Sequence, residues 1–420
     1  LDYGFEEVDG EWRISSAPDG IVLDASTFTT VFGSHALMFF DPTWTYLVPD
    51  IRWFPTRTST ATTVVGELLD GPSPWLRSGV RTAFPDGTSL STQSVTVDGD
   101  VVRMDFSSGF TGENAVAQSR MKAQLTASLT GIGTLAPDSI SSQGAVVDID
   151  TLTVPSPRVD ARALVLAEDG FGYLSGDVIE RIDGISPAVE DLQPSAVSVA
   201  VGAAFAAARN SDGLYIAPAN GDDPLRVDSR SGLVAPTVDP FGYTWSVPGD
   251  DPGAVLAFAR DGSSTGVATP WPEASSIASL QVSRDGTRVA ALVTTATTTR
   301  LVVAALTRSE PSGPPTAIGD VYELDETGDE PVSVTWVDDR TVASLTEDEG
   351  NHGTIEVFTI GSSSNVAPAL TGATTVVGSN TAQQIRVLLE SGEIRVRSGS
   401  GWQTRATGVS VLATQLASLG

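Results

Sequence analysis

The chain has 420 residues, 40% hydrophobic and 18% charged, which suits two or three separately packed domains and excludes a disordered chain. Its formal net charge is -28, with 8 basic against 19 acidic residues through Asp150 and 16 against 33 after it, so no basic segment is set aside for nucleic acid or anionic lipid. The chain has no cysteine, which excludes disulfides, iron-sulfur clusters and thiolate zinc sites, and its single lysine, Lys122, confines Schiff-base chemistry to one position.

Residues 5 to 50 alternate short apolar runs with turn signals at Val8-Asp9-Gly10, Pro18-Asp19-Gly20 and Asp41-Pro42, a pattern that predicts several strands. The chain opens in mid-element at Leu1-Asp2-Tyr3, and residues 1–50 read as the C-terminal remnant of an α+β domain. A second unit, residues 51–150, has a different rhythm. Thr60 is placed to cap a helix through Val64, Val65, Leu68 and Leu69 that stops at Asp70-Gly71-Pro72. Strands follow at 80 to 84, at 94 to 97, and at 101 to 106 after the Asp98-Gly99 turn. Residues 112 to 133 carry Val116, Met121, Leu125, Leu129 and Ile132 at helical spacing, and a last strand is expected at 145 to 149. That order predicts a small sheet with helices on one face.

Residues 151–420 show no helical period. Strand-turn-strand units recur instead, with turns at Asp169-Gly170, Asp212-Gly213, Asp261-Gly262, Asp285-Gly286, Asp338-Asp339 and Ser391-Gly392. The segments beginning at Val282 and Val334 are the closest internal match. Six units of roughly 45 residues have the length of four-stranded propeller blades. Five or seven blades, or a pair of β-sandwiches, stay open. The longest low-polarity run, 196 to 208, falls well short of the ~20 residues of a membrane span.

Few residues suggest chemistry. Gly262-Ser263-Ser264-Thr265-Gly266 matches the G-x-S-x-G pattern, with His352 downstream, but a nucleophile elbow needs a strand before it and a helix after it. A hairpin loop accounts for the match in a chain so rich in Gly and Ser. Glu347-Asp348-Glu349-Gly350-Asn351-His352 reads as a solvated hairpin tip, since it lacks the alternating oxygen ligands of a calcium loop. His35 reads as a structural residue at a strand start. No glycine-rich phosphate loop accompanies Lys122 or opens a helix. Catalytic, cofactor-binding and metal sites are therefore all expected to be absent. Of the eight tryptophans, Trp75 stands out as a ligand or partner contact, because it follows Gly71-Pro72-Ser73-Pro74 on a loop.

The strings LLDGPSPWL (68 to 76), TAFPDGTSL (82 to 90), VTVDGDVVRMDFS (95 to 107) and QLTASLTGI (124 to 132) resemble a GerMN domain. GEWRISSAPDGIVL (10 to 23) and LVPD (47 to 50) resemble the end of the N-terminal domain of LpqB-type actinobacterial lipoproteins, and a propeller after a GerMN domain completes that architecture. The expected fold is thus a multidomain α+β and all-β chain, a small α+β GerMN domain followed by a β-propeller of about six blades. The resemblance implies a non-enzymatic lipoprotein, anchored by an upstream lipidated cysteine to the outer face of the cell membrane. It also implies an accessory role beside the sensor kinase MtrB of the MtrA-MtrB two-component system, through the kinase's extracellular region. Binding of peptidoglycan through exposed aromatics such as Trp75 is the alternative, and an envelope hydrolase using Ser264 the third reading. No cofactor is implied.

Overall fold

The computed structural model describes residues 4–16, 23–56, 59–91, 95–107, 110–296, 298–362 and 364–416. The turn expected at Pro18-Asp19-Gly20 lies outside them, as do Leu1, Asp2, Tyr3 and Ser94. Strands β1 (Gly4–Val8) and β2 (Glu11–Ser16) form a hairpin about Asp9-Gly10 that pairs with no other described strand, leaving Phe5, Trp12 and Ile14 exposed. Helix α1 (Ala25–Val31) stands where only strands are expected. Its threonines disfavour helix, but Asp24 caps it, accepting from the backbone N–H groups of Ser26 and Thr27, and Phe28 packs on Phe32 and Trp53 at 4.9 Å. Capping and tertiary contact override propensity here.

Strands β3 (Phe32–Phe40) and β4 (Leu47–Pro55) pair along their whole length. The buried Asp41 carboxylate holds the turn between them, accepting from the N–H groups of Thr43, Thr45 and Tyr46. Helix α2 (Thr60–Asp70) runs as predicted, except that Thr60 is its first residue and Ser59 its cap position. Gly71, at φ 96°, ends it in a conformation open to glycine. Strands β5 (Thr96–Asp98) and β6 (Val101–Phe106), helix α3 (Ala115–Ser128), and strands β7 (Ile140–Ser142) and β8 (Ala145–Val146) complete this domain.

One core joins Leu37, Phe39 and Val48 of the hairpin to Val64 and Leu68 of α2, Met104 of β6, and Met121 and Leu125 of α3. The hairpin therefore shares a core with the helices on both sides of residue 50. The strand expected at 80 to 84 reduces to a bridge from Arg81 to Phe40, because the Gln124 side chain of α3 takes the Ala83 N–H at 2.8 Å. Val116 is 59% exposed, and Ile132 lies beyond the end of α3. The strand expected at 145 to 149 keeps two exposed residues, while β7 pairs parallel to β6 inside it.

The second body is a propeller of six four-stranded blades, with a short extra strand, Leu370–Thr371, beside the third strand of blade five. Blades two to six are consecutive meanders at 196–228, 237–266, 276–327, 330–366 and 373–406. Blade one takes three strands from 163–181 and its innermost strand, Val409–Gln415, from the far end of the chain. That strand pairs antiparallel with Ala163–Ala167 and parallel with Ala196–Val199 of blade two, so the ring closes on both sides of it. The low-polarity run at 196 to 208 breaks into two strands at a turn where Gly202 has φ 61°. A short helix, α4 (Ser186–Leu192), sits between blades one and two where no helix is predicted. Val189 is its single buried large apolar residue, so it leaves no period to read.

The innermost strands face one another across the hub, where edge N–H groups need partners. Side-chain hydroxyls supply them between blades three and six. Thr237 Oγ1 accepts from Val282 N, Ser279 Oγ from Val334 N, Ser333 Oγ from Val376 N and Thr335 Oγ1 from Gly378 N, at 2.9 to 3.3 Å. Buried ion pairs add to the hub: Arg288 with Asp285 at 2.5 Å and Arg308 with Asp239 at 2.7 Å. The Arg288 guanidinium also lies 4.9 Å from the ring centroid of Trp336 in blade five. Burial pushes the Asp285 carboxyl up, but the Arg288 charge and hydrogen bonds from Ser283 and Thr287 outweigh it and hold it below its usual 3.8.

Asp285→Asn leaves Arg288 buried without its counter-charge and should cost about 3–5 kcal/mol in urea denaturation. Because the folded carboxyl titrates below 3.8, its contribution is complete above that pH and is lost as pH falls through the folded value; the gap between wild type and Asp285→Asn should therefore close in acid. Ser333→Ala removes the partner of Val376 N and should cost about 1–3 kcal/mol in the same assay, where a neutral result would deny the hydroxyl a structural role.

Candidate functional site in the propeller channel

The first residues of the innermost strands line a central cavity of about 440 Å³, within the roughly 300–1,000 Å³ of small-ligand sites. Its walls alternate valines such as Val197, Val334 and Val376 with Ser279, Ser333, Thr374 and Ser410. Arg209, at the end of the second strand of blade two, is the one charged side chain among the described residues that line it. Among the described residues that line it there is no carboxylate, histidine or lysine to act as base or nucleophile.

The later residues of the same strands narrow the channel to about 30 Å³. Arg284 closes that end, its guanidinium donating to the carbonyls of Ser379 and Trp336 and to Asn380 Oδ1. Burial brings the Arg284 pKa down to about 10 against the opposing charges of Asp338, Asp339 and Asp285. Asp339, beside it, is pushed up by burial and by Asp338. The channel is blind, with its mouth on the opposite face.

The α+β domain sits on the sealed face. A Cβ on Gly79 would stand 2.7 Å from the carbonyl oxygen of Thr287, in the loop next to Arg284. Trp53 Nε1 donates to the Gly361 carbonyl of blade five at 2.5 Å. Tyr46 feels Asp285 across the junction; burial first, then the charges of Asp41 and Asp285, raises its pKa. Trp75 is half-buried between the cores of the two domains, with its ring 5.5 Å from that of Tyr322 in blade four. The loop position that singles out Trp75 in the sequence is thus an inter-domain plug.

The other sequence candidates lie apart from the channel. Ser264 begins the exposed outermost strand of blade three, with no helix after it. His352 is exposed at a hairpin of blade five, 3.1 Å from Asp348, which also accepts the N–H groups of Gly350 and His352. His35 packs on Phe54 within β3, and burial lowers its pKa. Among the described residues, no three His, Cys, Asp or Glu side chains group as metal ligands. Arg209 and Arg284 escape a reading by sequence. One ends the run Ala206-Ala207-Ala208 and the other stands in an ordinary Asp-Gly turn, and neither neighbourhood reveals the hub.

A six-bladed propeller with a central channel, latched to a small α+β domain, makes up the described chain. The family model described as the Lipoprotein LpqB beta-propeller domain matches residues 166–413, and the chain belongs to that family. A second model, described as sporulation and spore germination, matches residues 36–148 and makes the α+β domain a GerMN domain. Lipoprotein LpqB of Corynebacterium jeikeium is 26% identical over 376 residues, covering 81% of this chain and 60% of the relative. That of Rhodococcus jostii is 32% identical over 149 residues, 33% of this chain and 25% of the relative. The chain thus spans less than two thirds of these relatives. The tandem GerMN domains of GerM from Bacillus subtilis are similar at 20% identity and TM-score 0.24, over 44% of this chain and 59% of that one.

If the junction fixes the two modules together, Gly79→Val should separate them. The side chain clashes with backbone at Thr287, at a cost of about 1–3 kcal/mol. Calorimetry should show one transition for the wild type and two for the variant, with faster proteolytic cutting at 151–158; a single unshifted transition would mean the contact does not couple the modules.

Proposed function

We propose that this chain is the binding part of a non-enzymatic cell-envelope lipoprotein, held at the outer face of the membrane by a lipid anchor upstream of Leu1. In this reading it serves as an accessory regulator of the MtrA-MtrB two-component system by contacting the extracellular region of the sensor kinase MtrB. Family membership supports the lipoprotein role. No helix among the described residues is long and apolar enough to cross a membrane, which fits attachment by lipid.

The observation that carries the contact reading is the latched junction. Trp53, Trp75 and Gly79 set the GerMN domain on the sealed face of the propeller, so both present their surfaces in one fixed geometry. Little conformational entropy is then lost when a partner docks. The net charge of -28 suits a partner with a basic contact surface, and steering by such a field raises the association rate.

The purified extracellular region of MtrB, titrated onto the immobilised chain, should bind with an association rate that falls severalfold as salt rises from about 50 to 500 mM. An absence of binding at high micromolar concentration, with both proteins folded, would rule out direct contact.

A further inference from the structure

Arg209 donates only to neutral acceptors, as Arg284 does, but it lines the wide part of the channel. Acidic residues outnumber basic ones 52 to 24, yet no described carboxylate pairs with its guanidinium, and burial alone accounts for the lowering of its pKa. Nε and Nη2 donate to Ser195 Oγ at 3.2 and 3.0 Å, and Nη1 donates to the Leu233 carbonyl at 2.5 Å. All three bonds go to neutral oxygens. A guanidinium has five N–H donors, so two have no acceptor among the described residues, on a side chain that lines the cavity. Holding a partly buried cation with no counter-charge is costly unless an anion arrives to pair with it.

The mouth has the opposite sign. Exposed carboxylates stand on the turns between the second and third strands of five of the six blades: Asp169, Asp212, Asp251, Glu349 and Glu390, in blades one, two, three, five and six. These turns lie on the face where the channel opens. A ligand entering here meets an acidic rim first and a planar cationic donor inside, between walls of valine and hydroxyl. A free phosphate is repelled at such a rim, whereas a molecule with an amine at one end and a carboxylate at the other satisfies both zones.

We infer that the channel mouth is a binding site for the carboxyl-terminal end of a short, amine-bearing peptide, whose terminal carboxylate pairs with Arg209 while its cationic end faces the acidic rim. The flat guanidinium suits the carboxylate, and Ser195 fixes its orientation. The site lies on the face away from the GerMN domain.

The probe is the tripeptide lysyl-alanyl-alanine, titrated calorimetrically into the full chain beside its carboxyl-terminal amide, with inorganic phosphate as a third ligand. The acid should bind at least tenfold more tightly than the amide, and Arg209→Gln should abolish that preference. Glu349→Gln with Asp251→Asn should weaken the acid severalfold at low salt and much less at high salt. Equal affinity for acid and amide, or no binding of the tripeptide at millimolar concentration, would overturn the proposal. So would Arg209-dependent binding of phosphate in preference to the tripeptide. The comparison of acid with amide uses the unaltered chain, so it stands even where Arg209→Gln fails to fold.

Discussion

The structure depends on closing a ring whose two ends are more than 240 residues apart in sequence. Val409–Gln415 enters between Ala163–Ala167 and Ala196–Val199 and satisfies the edges of both. Without it, blade one would present an unpaired inner edge to the hub, the kind of edge that invites mispairing. Elsewhere the same problem is solved locally. A serine or threonine on one inner strand accepts an N–H from the next, at Thr237, Ser279, Ser333 and Thr335. The abundance of Ser and Thr thus has a structural use, since hydroxyls reach across a gap that a regular ladder cannot span at the angle between blades.

The hub's polar interactions also shape the channel. Arg284 donates to backbone carbonyls at one end, while Arg288 and Asp285, three residues apart, form a buried pair beside Trp336. The same loop meets the GerMN domain at Gly79 and Tyr46. One turn in blade four therefore links channel closure, blade packing and domain docking. The opposite face carries the acidic rim and, inside the mouth, the one cationic side chain among the described lining residues.

Placement in the envelope follows from family membership and from the resemblance, and the geometry adds what a bare domain order lacks. The two modules are joined by aromatic and backbone contacts. Trp75, which the sequence offers as a ligand or partner contact, packs on Tyr322. Ser264 begins the exposed outermost strand of blade three, with no helix after it.

By itself, the sequence determined the strand-turn rhythm of residues 151–420, the helix from Thr60 to Asp70 and the GerMN strings, because short-range periodicity, glycine stops and turn residues are local properties. It also determined the absence of thiol chemistry, which composition alone decides. Only the tertiary structure decided that α1 forms on Asp24 and Phe28, that Gln124 takes the place of a strand at Ala83, and that α4 exists around one buried valine. In each case a contact with a residue outside the element outweighs local preference. The same holds for the candidate site. Arg209, Arg284 and the inner hydroxyls converge only when six blades close into a ring, and no spacing along the chain encodes that meeting.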